Sequence, residues 1–507
     1  MNNKTTNSEQ LKQAIEFHQQ GQLDAASQLY QQILMVEPTH FDALHFSGVI
    51  EQQRGNPREA IRLIQQALQT VTTVFTIEHA SAFCNLGSAL NDIGAYQHGL
   101  NNLEIAIELK PNYAIAHNNR GNSLKHLGRI QQAITSYRTA LLHQPNYSEA
   151  IYNCAVAYQS IDQHEEALQS LEQALLVRPD YPDAYFAQGL SLQLLQQFNA
   201  AIASYDCALE HRSNYHEAHT NKGIIFNKLG RLDEALLSFD RALTSKESEA
   251  KLHLYRANTL RRLERSSDAV EAYNRASMHG ADQQHIDFVL ATMGIGATPM
   301  APPANYVKEL FDQYADHFDE HLVGVLNYQT PQILGQLIIQ HRQSNQLIML
   351  DLGCGTGLCA PFLRPYSSKL VGIDLSPNMI KQAAKLDLYD ELTCSEIVEY
   401  METANNIDVI VAADVFVYLG DLTRLFKAAR AALNGGGLFC FSVEELISSA
   451  TGRDFQLQTS CRYAHSEDYI LRLSALYNFD VIAIKSSAVR QENKTEISAL
   501  IVVLSKQ

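Results

Sequence analysis

Two hydrophobic rhythms divide this chain. Through the first half, small positions return every 34 residues: Ala133, Ala167, Ala201, Ala235 and Ala269. Each is followed seven residues later by a second alanine, at Ala140, Ala174, Ala208, Ala242 and Ala276. A large side chain stands between the members of each pair, at Tyr137, Leu171, Tyr205, Phe239 and Tyr273. Gly87, Gly121, Gly189 and Gly223 share one position in the preceding stretch, and Pro111, Pro145 and Pro179 close successive units. Small residues let two helices approach, the large one fills the space between units, and proline ends a helix that it cannot continue. The pattern predicts helical pairs stacked into a solenoid, whose units bury a core only together. Carried backwards, the frame is anchored at Ala26, Ala60 and Gly99. The last step is 39 residues, so five extra residues fall near 71–77. The count is eight units over 7–283, the last one degenerate and suited to cap the stack.

The second rhythm begins at Leu347, where short apolar runs alternate with helical stretches. Strands are predicted at 347–350, 370–373, 392–394, 407–412, 438–442, 481–484 and 499–504. Alternation of this kind implies a parallel sheet with right-handed crossovers. The last two runs are joined by a polar stretch without helical pattern, which adds a terminal antiparallel hairpin. The expected fold is therefore two domains: an all-α solenoid over 7–283, then an α/β Rossmann-like domain over 306–507 on a seven-stranded sheet. Between them, 284–305 carries clustered glycine and proline and reads as a linker.

One stretch carries chemistry. Ile348–Gly357 is an apolar strand that runs into three alternating glycines, Gly353, Gly355 and Gly357, with Asp351 just before them. Glycines there permit a sharp bend and let a ligand lie against bare backbone. A second strand ends in Asp374, 21 residues after Gly353, where a carboxylate can accept from both hydroxyls of a ribose. A nucleoside-type cofactor at the carboxyl edge of a parallel sheet follows. A dinucleotide fingerprint would need a glycine at position 358, which is Leu358.

Both halves resemble known families. The 34-residue units resemble the tetratricopeptide repeat (TPR). One of its groove positions carries Asn85, Asn119, Asn153 and Asn221, interrupted by Ala187 and Tyr255. This is similar to the asparagine ladder of O-GlcNAc transferase repeats, where amides grip an extended peptide, since an amide donates and accepts at once. The alternatives are a solvated polar face, or an array that serves as a spacer or self-association element. The run D-L-G-C-G-T-G followed by G-I-D resembles motif I and the acidic loop of class I methyltransferases that use S-adenosylmethionine. With FDQYADHFDEHLVGVLNYQTP, DLYDEL and VAADVFVYLGDL, the whole chain resembles bacterial TPR-containing predicted methyltransferases. The second half is also similar to the methyltransferase named for the Williams–Beuren syndrome region.

The resemblance implies roles. Gly353, Cys354, Gly355 and Gly357 would lie against the methionine part of the cofactor. Asp351 would orient the turn and reach the cofactor ammonium, or else be a buried structural acid. Asp374 would bind the ribose, Leu375 and Met379 would flank the adenine (core packing being the other reading of Met379), and Glu396 would meet the adenine amino group. Asp414, Val415 and Tyr418 follow the fourth strand, where the acceptor lies in this fold. No N/D-P-P-Y or Pro-Cys stands there, which argues against methylation of nucleic-acid bases. Tyr314, Phe318 and Tyr328 fall in the amino-terminal lid. Candidates for a base, if one is needed, are His317, His321, His465 and Glu444; Asp414, which is also counted with the cofactor-binding residues, and Tyr418 are further catalytic candidates. No catalytic residue is assigned.

Composition narrows the partners. The net charge is −16, without a block of Lys or Arg, which disfavours nucleic acid. No apolar run approaches membrane-spanning length, and the polar start MNNKTTNSEQ is no secretory signal. Eight scattered cysteines without a C-x-x-C pair point to reduced thiols, a cytoplasmic location and no metal. The expected function is methyl transfer from S-adenosylmethionine to a protein or peptide held on the concave face of the repeats. A small carboxylate or hydroxyl acceptor, and a non-catalytic scaffold, stay open.

Overall fold

The computed structural model describes residues 2–315, 318, 328–342, 344, 346–446, 453–492 and 495–507. Two compact units divide the chain, Met1–Leu263 and Glu264–Gln507. The division falls inside the eighth 34-residue unit.

The first unit is a run of helices from Asn2–Gln19 to Ala250–Arg262, packed as successive pairs as far as Leu232–Ser245. The alanines of the 34-residue frame are fully buried, as are Tyr137, Leu171, Tyr205 and Phe239. Steric room explains the glycine position. A Cβ on Gly121 would come within 2.4 Å of the Tyr137 ring, and one on Gly223 within 2.5 Å of Phe239. The aromatic ring therefore occupies the volume that the missing side chain leaves, as close-packed interiors require. The turn within each pair has its own 34-residue period: Gly128, Asp162, Gln196 and Gly230 have φ of 74°, 58°, 58° and 75°. Each closes its first helix through the next residue's N–H, as in Arg129 N to Leu124 O at 2.9 Å. The five-residue excess lies after the helix Pro57–Gln69 and leads into a 3-10 turn, Ile77–His79, capped by Thr76.

The second unit contains the sheet. Its strands are β1 (Leu347–Leu352), β2 (Ser367–Asp374), β3 (Glu391–Cys394), β4 (Ile407–Ala412), β5 (Leu433–Glu445), β6 (Phe455–Leu457), β7 (Tyr463–His465), β8 (Phe479–Glu492) and β9 (Thr495–Lys506). The order is β3-β2-β1-β4-β5-β7-β6, with β9 antiparallel to β5 and paired to β8. β1 to β5 are parallel. All seven expected strands are present, and the terminal hairpin is antiparallel. The additional pair β6–β7 has only three residues in each strand, too short for the alternation that revealed the others. Alternate residues feed two cores. Leu350, Leu352, Ile373, Phe439 and Phe441 pack on one face, and Met349, Leu370, Val409, Val411 and Cys440 on the other. The helix Gln283–Thr292 occupies the first part of the segment read as linker, and a second helix, Ala304–Tyr314, precedes the sheet.

Candidate functional site

The strand order reverses between β1 and β4, since β1 leads outward to β2 and the chain returns past it to β4. In such sheets ligands sit outside the carboxyl ends of the strands at this crossing. The glycine turn lies at that edge. Gly353, Gly355 and Gly357 have φ of +60°, +56° and +96°, the left-handed region that suits glycine. Gly353 is also crowded, because a Cβ there would stand 2.5 Å from a Val415 methyl. Among the described residues a Cβ on Gly355 would meet just one neighbour within 4 Å, Phe318 at 3.8 Å. Cys354 is buried, and its N–H donates to Ile373 O at 2.9 Å, tying the turn to β2.

Asp374 ends β2 and is buried. Its carboxylate accepts from Gly355 N at 2.9 Å and from Ser376 N at 2.8 Å, so it joins the glycine turn to the next loop. Burial pushes its carboxyl above the ordinary value, while the backbone donors pull the other way. Ser376 caps the helix Pro377–Ala384, and its hydroxyl donates to Asp312 of the helix Ala304–Tyr314. Asn378 Nδ2 donates to the Asp312 carbonyl at 3.2 Å. Leu375 is half-buried, and Met379 is buried.

Asp351 is buried beneath the turn and accepts from Tyr389 OH at 2.6 Å. Desolvation, with a smaller contribution from Asp374, raises its carboxyl from 3.8 to about 7. Glu396 is half-buried and caps the helix Ile397–Thr403 by accepting from Glu399 N at 2.9 Å.

After β4, Asp414 takes a left-handed conformation, with φ of +56°. Its N–H donates to Ser442 Oγ at 2.7 Å, Ser442 returns its own proton to Asp414 Oδ1 at 2.6 Å, and Arg490 Nη1 meets Oδ2 at 2.8 Å. Arg490 also pairs with Glu444 at the end of β5. Tyr418 lies edge-on to Phe311, with ring centroids 5.3 Å apart, and Phe311 lies 6.1 Å from Phe318. Burial raises the Tyr328 phenol well above its ordinary range, with Asp414 adding to the effect. His465 is fully buried. Its Nε2 donates to Gly420 O at 3.0 Å, and desolvation lowers its pKa to about 4, so it is a neutral ring holding a turn. His317, His321 and the Tyr314 side chain lie outside the described residues.

The family described as "Methyltransferase domain" matches residues 350–439. Three families described as "Tetratricopeptide repeat" match 114–147, 150–185 and the overlapping spans 186–250 and 220–285. The chain carries tetratricopeptide repeats and a methyltransferase domain. Among curated relatives, "Malonyl-[acyl-carrier protein] O-methyltransferase 1" of Ilyobacter polytropus is 30% identical over 142 residues, 26% of this chain and 53% of that protein. "Ubiquinone biosynthesis O-methyltransferase" of Bradyrhizobium sp. is 35% identical over 102 residues, 19% of this chain and 39% of that protein. The chain thus spans about half or less of the length of these two relatives. Among solved structures, YrrB, described as a TPR protein with an unusual peptide-binding site, is 25% identical with a TM-score of 0.32, covering 36% of this chain and 93% of its own.

In the repeats, each ladder asparagine is half-buried and spends its Nδ2 on another repeat residue. Asn85 donates to His45 Nε2 at 2.9 Å, Asn119 to Cys84 Sγ at 3.8 Å, Asn153 to Asn118 Oδ1 at 3.0 Å, and Asn221 to Tyr205 OH at 3.3 Å. Sequence reasoning missed Asp312, Ser376, Tyr389 and Arg490. Only Ser376 carried a local signal, as a Ser-Pro helix start just after the acid. The other three meet the site through tertiary contacts. Among the described residues no cluster of metal-ligating side chains occurs, and no helix is long and apolar enough to cross a membrane.

Proposed function

We propose that the second unit binds S-adenosylmethionine at the glycine turn and catalyses methyl transfer, and that the repeats recruit a protein or peptide substrate. The observation carrying the donor site is the pairing of Gly355 with Asp374: bare backbone at positive φ, held by the carboxylate at the tip of the neighbouring strand. The residues suit the cofactor. Gly353 to Gly357 offer an edge without side chains to the methionine portion. Asp374 keeps lone pairs for ribose hydroxyls beyond its backbone donors. Asp351, at the end of β1 just before the turn, is the acid placed to answer an ammonium. Leu375 flanks the adenine position, and Glu396 keeps one oxygen beyond its cap for an amino group.

The cofactor supplies a methyl group on a sulfonium, already activated for in-line transfer. The protein's part is then to hold donor and acceptor in line and to exclude water. Phe311, Phe318 and Tyr418 give the site an aromatic wall. With Nδ2 engaged on other repeat residues, the asparagine row offers Oδ1 atoms to the backbone N–H groups of an extended peptide. The names of the curated relatives favour oxygen as the acceptor atom, and therefore support a second reading in which a small carboxylate or hydroxyl is methylated.

Calorimetry with S-adenosylhomocysteine tests the donor site; absence of binding refutes it. Incubation with methyl-labelled cofactor and lysate tests the acceptor. Labelled protein bands that fade when Asn85, Asn119, Asn153 and Asn221 are all changed to alanine support recruitment by the groove. Label confined to solvent-extractable small molecules, at a rate indifferent to those changes, refutes recruitment and supports the second reading.

A further inference from the structure

Arg490 stands on β8 and is 4% exposed, yet its guanidinium meets two carboxylates, Asp414 after β4 and Glu444 at the end of β5. Arg462 also approaches Glu444, at 3.5 Å, so two cations and two anions form one network. A buried charge cluster is weak evidence of stabilisation, which leaves the reason for an arginine here to be found in its partners. The reason lies in what Asp414 carries. It adopts a left-handed φ of +56°, a region that an aspartate visits more readily than most residues, and its N–H and both carboxylate oxygens are engaged there. The next residue, Val415, sets its methyls against Gly353, where a Cβ would meet them at 2.5 Å.

We propose that Arg490 is a positioning residue for the donor site. By fastening Asp414 to β8 and to Glu444, it imposes the turn after β4 that sets Val415 against Gly353 and so fixes the first bend of the glycine turn. With one oxygen on Ser442 and the other on Arg490, Asp414 holds this loop and is not the proton acceptor of the reaction. The donor role rests on the function proposed above; the role in shaping the turn does not.

Amide exchange by mass spectrometry on the ligand-free full chain separates the two. Arg490→Met should speed exchange across residues 413–420 and 353–357 by about ten-fold, the scale on which supporting contacts tune a site. Exchange in β1, β2 and β4 should stay unchanged. Arg490→Lys, which keeps the charge but not the fork, should fall between. Adding Asp414→Asn to Arg490→Met should restore part of the protection, because no unpaired buried anion remains. Unchanged exchange in Arg490→Met, or equal acceleration of every strand without rescue, overturns the proposal. Should Arg490→Met fail to fold, the lysine variant and the double variant decide it by the same comparison. Titration with S-adenosylhomocysteine completes the test: a wild-type chain that does not bind sinks the methyl-donor reading alone, whereas equal affinity of wild type and Arg490→Lys, with unchanged exchange, sinks the role of Arg490.

Discussion

Replacing Asp351 with asparagine should make β1 more stable at neutral pH, although it alters the acid of the glycine motif. The folded protein raises this carboxyl from 3.8 to about 7, first because burial strips its water and then because Asp374 stands near. A raised acid stabilises the fold while both states are protonated, below about 3.8. That contribution is lost as pH climbs, since the unfolded chain releases a proton that the folded chain retains, and the loss is complete above about 7. At about 1.4 kcal/mol per tenfold change in proton affinity, the whole effect is on the order of 4 kcal/mol, with roughly 2–3 kcal/mol of it between pH 5 and pH 8. Asparagine keeps an acceptor for Tyr389 OH and does not titrate. The assay is the opening free energy of β1 amides from hydrogen exchange, corrected for intrinsic rates, at the two pH values in the ligand-free chain. The advantage of Asp351→Asn should grow by about 2–3 kcal/mol from pH 5 to pH 8. A gap between variant and wild type that is the same at both pH values refutes the reasoning.

Three further outcomes follow from the geometry. Gly353→Ala adds a left-handed cost of about 1–2 kcal/mol to overpacking against Val415 of about 1–3 kcal/mol, so urea unfolding of the second unit should shift downward and S-adenosylhomocysteine binding should vanish. Asp374→Ala removes the tie between Gly355 and Ser376, and calorimetry should find no binding, with β2 exchange only modestly faster. Gln196→Gly relieves an exposed residue held at φ +58° and should stabilise the repeats by about 1 kcal/mol, read as a higher urea midpoint.

Legibility followed range along the chain. The helix pairs were readable because Ala133 and its successors repeat a packing solution at fixed spacing. The strands were readable because Met349 and Leu350, or Val409 and Ile410, point to opposite buried faces in a run too short for a helix. The turn positions at 128, 162, 196 and 230 keep the same period but hide it, because aspartate and glutamine replace glycine at two of them. β6 and β7 left no trace, since three residues cannot display an alternation. The environment of single side chains was not legible. His465 is a neutral buried ring on Gly420 O, and Glu396 spends one oxygen on a helix cap, and neither could be read from a residue type.

By itself the amino-acid order determined the two architectures and the glycine turn with its two acids, because these rest on local periodicity and on residues with few conformational alternatives. Tertiary structure alone decided how the acids are used. It buried Asp351 under Tyr389, brought Asp312 from a preceding helix to Ser376, and carried Arg490 across the sheet to Asp414 and Glu444. Desolvation and charge pairing depend on which groups share a small volume, and 38 to 76 positions separate three of these pairs along the chain.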